Sequence, residues 1–202
     1  MFALVESGSI TKMLSGNRGI TLGGNKYPKA IYTLWTKSER EAIGIYEVVW
    51  DNTNKKDEAW YINTNASYAF GSGKVTASYG SATAKAHADT LFTAQDETDG
   101  LGTEGEVKTR GLKYNLIQTI KKQAAGILQD TDWYIVRKAD AGTAVPSSIT
   151  THRAAVRTKA ASQETQITNA SDTPALETLY TYTEQEDGSF TRPLGELPRL
   201  EV

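Results

Sequence analysis

The stretch that most constrains this chain runs from Leu112 to Ile167. Apolar residues fall at Leu112, Leu116, Ile117, Ile120, Ala124, Ile127 and Leu128. Those offsets trace one face of a helix. After a connector carrying Thr131-Asp132-Trp133, a second, weaker stripe follows at Ile149, Val156, Ala160, Gln163 and Ile167. Neither helix can bury its stripe alone, so the spacing predicts an antiparallel helical hairpin over residues 107 to 170.

Before this hairpin the period changes to two. Residues 1 to 80 read as an aromatic-rich β module with one short helix. Phe2 to Val5 and the pair Ile20 and Leu22 suggest short strands. Thr36-Lys37-Ser38-Glu39 has the form of a capping box and predicts a two-turn helix closing at Gly44. Ile45 to Trp50 and Ala59 to Ile62 read as one hairpin across a polar loop. Ser67 to Phe70 and Lys74 to Tyr79 read as a second, around Gly71-Ser72-Gly73.

Residues 81 to 106 are rich in small and acidic residues and read as a linker or long loop. Beyond the hairpin, residues 171 to 202 suggest a short helix from Asp172-Thr173-Pro174, a small β-hairpin, and an extended tail. The tail carries Leu194, Leu197, Leu200 and Val202 between prolines. The fold class expected is therefore α+β: a small antiparallel β module, a helical hairpin and an extended C-terminal tail.

Composition narrows the chemistry. The 202 residues carry 22 Lys plus Arg against 24 Asp plus Glu and no cysteine. That balance gives no electrostatic footprint for nucleic acid or an anionic membrane. Thiolate catalysis, disulfides and cysteine zinc sites are excluded. No run approaches the roughly 20 apolar residues of a membrane helix. The first six residues lack the basic and apolar regions of a Sec signal, so a cytoplasmic chain is expected in the producing cell.

No catalytic, cofactor or metal site emerges. His87 and His152 lie on different segments, and nothing brings a carboxylate to both. Gly16-Asn17-Arg18-Gly19 and Gly23-Gly24-Asn25-Lys26 lack the ending of a phosphate loop and read as turns. Asp96, Asp99 and Glu104 lack the spacing of a calcium loop. A hydrolase would need two facing carboxylates, and no pairing among Glu39, Glu47, Asp57 and Glu58 is legible. Lysines and arginines on both helices read as solvated faces. Trp35 and Trp50 are expected in the core. Trp60, Tyr61 and Tyr68 form the alternative to it, a platform for stacking host-surface glycans.

The hairpin also carries a resemblance. Leu128-Gln129-Asp130-Thr131-Asp132-Trp133, followed by His152-Arg153-Ala154-Ala155-Val156-Arg157, resembles a phage tail assembly chaperone-like domain. In that family a Leu-x-x-Thr-Asp-Trp signature ends one helix, and an aromatic-Arg-x-x-Leu-Arg element lies on the next. Here His152 stands for the aromatic and Val156 for the leucine, and the helix runs on through Thr158-Lys159-Ala160-Ala161. The resemblance covers about a quarter of the chain. It implies a non-enzymatic bacteriophage tail protein: a tail-fibre-associated adaptor or assembly factor, transient or retained in the virion. It would work in the host cytoplasm and tail region, with other tail or fibre proteins in an oligomeric assembly. The residues expected to bind partners are Trp133, Asp132, Arg153, Arg157, Trp60, Tyr61, Leu197 and Leu200. Trp133 is expected to fold back into the mouth of the hairpin, with Arg153 or Arg157 paired to Asp132 or stacked on the indole.

Overall fold

The opening strand is a continuous apolar run, Phe2-Ala3-Leu4-Val5, which is covered on both faces. In a computed structural model describing residues 1–200, the chain is a mixed α+β protein of two units. The first is Met1–Thr83, and the second begins at Ala84. The first unit runs β1 (Phe2–Glu6), β2 (Ser9–Leu14), β3 (Ile20–Leu22), β4 (Asn25–Tyr27), α1 (Ile31–Leu34), α2 (Lys37–Ala42) and β5 (Ile45–Asp51). It continues through β6 (Tyr61–Ile62), β7 (Ser67–Gly71) and β8 (Lys74–Ser78), ending within β9 (Thr83–Ala84).

Five of these strands form one sheet in the order β2-β1-β5-β8-β7. The β1–β2 turn places Ser7 and Gly8 at φ 51° and 79°, the conformation a tight hairpin demands. Strand β5 joins β1 antiparallel, with Leu4 opposite Ile45. On its other side β5 runs parallel to β8, with Val48 opposite Val75. The edge strands β2 and β7 approach each other, so the sheet curls towards a barrel. One face buries Ala3, Val5, Val48, Val75 and Ala77 with Tyr46 and Phe70. The other buries Leu4, Leu14 and Ile45 against Ile31 and Tyr32 of α1, with Trp35 beside them.

The hairpin expected around Gly71-Ser72-Gly73 forms as β7 and β8. The one expected between Ile45–Trp50 and Ala59–Ile62 does not. β5 sends Ile45 to one core and Val48 to the other, so both its edges need long partners. β1 and β8 supply them, and β6 shrinks to two residues outside this sheet.

The capping box is present at α2. Glu39 N–H donates to Thr36 Oγ1, and Thr36 N–H donates to the Glu39 carboxylate at 2.7 Å. The Thr36 N–H and the Thr36 hydroxyl, both donating to that carboxylate, hold the Glu39 carboxyl below its usual range. The helix closes at Gly44, whose N–H donates to Glu41 O at a φ of 79°.

The second unit contains β10 (Thr90–Leu91), α3 (Ala94–Thr98), β11 (Val107–Thr109), α4 (Leu112–Gln129), α5 (Asp132–Ala141), α6 (Ser147–Asn169) and α7 (Thr173–Tyr180). The strands β12 (Thr183–Glu184) and β13 (Phe190–Thr191) follow. The stretch expected as linker is built. β10 pairs with β11, and Thr93 and Asp96 make a second capping box on α3. The Lys108 ammonium, 2.6 Å away, and the Thr93 donors pull the Asp96 carboxyl down to about 2. Its depressed pKa adds stability that is full above the ordinary carboxylate range and lost as pH falls through about 2. Asp89 accepts from Gly111 N–H and Arg110, so it braces the start of α4. Of the acids in that stretch, Asp96 caps α3 and Glu97 accepts from Glu104 N–H.

α4 and α6 pack antiparallel, as the two stripes predict. Lys113 Nζ reaches Thr168 O at 2.8 Å near one end. Lys121 pairs with Glu164 further along, and Leu128 O meets Arg153 near the other end. Ile149, Val156, Ala160, Gln163 and Ile167 of the second stripe are all buried. The α7 helix starts on an Asp172 cap, and the β12–β13 hairpin forms as expected. In the tail Leu194 is fully buried, and Val202 lies outside the described residues.

Candidate docking site

Thr131-Asp132-Trp133 is an elbow rather than a loop. α4 stops at Gln129, Asp130 keeps helical dihedrals, and Thr131 turns to φ −115°, ψ 3°. Asp132 then starts the ten-residue α5, so three helices replace the expected two. The break sits at Thr131 because its hydroxyl donates back to Leu128 O at 2.9 Å while its N–H donates to the same carbonyl.

Arg153 locks this elbow from α6. It is only 7 % exposed. Nη1 donates to Leu128 O at 2.7 Å and to Thr131 Oγ1 at 2.6 Å. Nη2 pairs with Asp132 at 2.8 Å. A cation at the C-terminus of α4 also meets the negative end of that helix. The planar fork reaches three acceptors on three residues, which a lysine cannot do. The expected pairing of Arg153 with Asp132 is therefore present. Arg157 is exposed and stands outside this network.

The expected place of Trp133 is wrong. The indole is 60 % exposed and does not enter the mouth of the hairpin. The buried guanidinium fills the role assigned to it. α5 buries none of its residues, and Ile135 and Val136 are exposed beside Trp133. Trp133 and Val136 are three apart and share a helix face. The Arg137 guanidinium lies 5.1 Å from the Trp133 ring and 5.4 Å from that of Tyr134, a cation–π arrangement with both. Exposed contiguous apolar surface of this kind marks an interaction site.

In the first unit the aromatic expectation is corrected. Trp60 is 8 % exposed and belongs to the core, so it cannot offer a face to a sugar. Tyr61 is half-buried. Trp50, expected in the core, is 42 % exposed instead. It stands opposite Ala77, which in turn stands opposite Tyr68, so all three share one sheet face. The Trp50 ring lies 6.3 Å from Tyr68 and 5.8 Å from Tyr79, and Lys55 caps Tyr79. Trp50 shares the inward face with the buried Ala77. The end of the strand leaves it at the open rim.

In the tail, Leu197 is half-buried and lines a groove of about 750 Å³ in the second unit, whereas Leu200 is exposed. Among the described residues no group of three or more His, Asp or Glu stands where it could hold a metal ion. No helix among them is long and apolar enough to cross a membrane. No protein-family model, curated protein or solved structure matches this chain.

Proposed function

We propose that this chain is a non-enzymatic bacteriophage tail protein, a tail-fibre-associated adaptor or assembly factor that docks other tail or fibre proteins within an oligomeric assembly. The reading takes its family from the Leu128, Thr131-Asp132-Trp133 and Arg153 pattern. One observation supports it most: α5, at the centre of that pattern, holds Trp133, Ile135 and Val136 in solvent on an elbow fixed by Arg153. A tryptophan and an arginine at the middle of an exposed patch are the residue types that dominate binding energy at interfaces. The partner docks on this helix while the chain is in the host cytoplasm, and the complex passes into the tail region.

The double variant Trp133→Ala, Val136→Ser removes the patch without touching the core. In pull-downs against tail and fibre proteins of the encoding phage, it is expected to bind at least about tenfold more weakly than the parent chain, with an unchanged melting curve. Absence of the parent chain from purified virions, together with no binding to any fibre protein, would sink the reading.

A second reading rests on the open rim of the first unit. Trp50, Tyr68 and Tyr79 present a ring cluster of the kind that stacks on sugar faces. On a glycan array, Trp50→Ala is expected to abolish signal that the folded parent gives. Equal signals from both, or none from the parent, would remove this reading.

A further inference from the structure

α6 opens without a side-chain cap. Pro146 holds the N-cap position and offers no side-chain acceptor. The first bond of the helix runs from Thr150 N–H to Pro146 O at 3.1 Å. The N–H groups of Ser147, Ser148 and Ile149 therefore have no acceptor within the helix, and no acid stands in the first turn. A 23-residue helix carries partial positive charge at this end.

The same end borders a cavity of about 460 Å³, lined by Ser147, Ser148, Thr151, His152, Arg199 and Leu200. His152 is the second, independent observation. It is only 8 % exposed, yet it stands on the cavity wall. Neither ring nitrogen has a hydrogen-bond partner among the described residues, and neither is sealed from solvent. Polar groups this enclosed are ordinarily partnered, and the cavity is the side from which a partner can come. Arg199 is exposed and forms no ion pair among the described residues. The hydroxyls of Ser147, Ser148 and Thr151 are equally unengaged. No carboxylate lines the cavity.

We propose that the start of α6 is a phosphate site, taking the phosphate group of a small ester or the free ion. The open N–H groups of the first turn donate to its oxygens, as helix starts do for anions. The Arg199 guanidinium pairs with two of those oxygens. The imidazole of His152 adds a ring N–H, which it carries in either protonation state. Three phosphate oxygens can use this donor set, whereas the two of a carboxylate leave part of it idle. Leu200 gives the organic part of an ester an apolar surface. Water alone would hydrate the donors, but the charge of Arg199 and of the helix end would stay uncompensated in a cavity without an acid. The inference goes beyond the tail reading and does not depend on the α5 surface.

The test is a nuclear magnetic resonance titration of the nitrogen-15-labelled full chain with inorganic phosphate and with phenyl phosphate, chloride holding the ionic strength constant. Saturable shifts are expected at the Ser147, Ser148 and Ile149 amides. Phenyl phosphate binding about tenfold more tightly than the ion assigns the site to an ester, and equal affinity assigns it to the ion itself. Arg199→Gln is expected to weaken binding about tenfold. Ser148→Asp places a carboxylate in the first turn, where it favours the helix. Its melting temperature is therefore retained or raised while phosphate binding is lost. Trp133→Ala leaves binding unchanged. No saturable shift with either probe, or affinities indifferent to both Arg199→Gln and Ser148→Asp, overturns the proposal.

Discussion

Arg153→Ala is expected to destabilise the second unit by about 3 kcal/mol, the scale for removing one partner of a buried charged network. The substitution strips Leu128 O of one of its donors and leaves Thr131 Oγ1 buried without the guanidinium. It also releases Asp132. Arg153→Lys is expected to recover little, because one ammonium cannot replace a fork that reaches three acceptors. Asp132→Asn should cost no more than about 1 kcal/mol, since that carboxylate is half in water and water screens the pair. Urea unfolding followed by far-ultraviolet circular dichroism reads all three, because the long helices lie in this unit. An Arg153→Ala midpoint equal to the parent's would show that the elbow is not held from α6.

Gly44→Ala is expected to cost the first unit about 2 to 3 kcal/mol, combining a left-handed backbone with a backbone clash. Its φ is 79°, and a β-carbon would stand 2.6 Å from the Val5 carbonyl oxygen. Val5 cannot retreat easily, because its N–H donates to Gly44 O at 2.8 Å and its side chain lies in the core. Gly8→Ala serves as the comparison. It has the same φ of 79° but nothing within 4 Å of the new carbon, so it should cost only about 1 kcal/mol. Trp35, Trp50 and Trp60 all lie in the first unit, so intrinsic fluorescence during denaturation follows it closely. Equal losses at the two glycines would show that the contact with Val5 carries no energy.

Local signals read well where one residue type answers one backbone need. The Thr36–Glu39 box, the Gly44 stop, the Asp172 cap and the turn at Gly71-Ser72-Gly73 all act within a few residues of themselves. The α6 stripe was legible for the same reason, since its period is the helix's own. Partner choice between strands was not. Nothing near Ile45–Asp51 announces that its neighbours are β1 and β8, because both cores that claim it are distant in sequence. The second capping box was present as Thr93-Ala94-Gln95-Asp96 and was lost in an acidic composition. In the candidate site, the sequence left open whether Arg153 or Arg157 pairs with Asp132 or stacks on the indole, and the structure selects the Arg153–Asp132 pair. The break into α5 was not legible, since helical residues on both sides of Thr131 hide it. The exposure of Trp133 was equally hidden, because tryptophan is usually buried and only the finished elbow turns it outward.

The parallel pairing of β5 with β8 has a kinetic consequence. β1 and β2 can zip locally, and so can β7 and β8, because each pair is joined by a tight turn. β5 must wait for both, closing a loop to the start of the chain and another to Lys74–Ser78. During synthesis the first unit therefore cannot complete its sheet until β8 has left the ribosome. Joining the two hairpins through β5 closes the longer loops, so that step is expected to be slower than forming either hairpin.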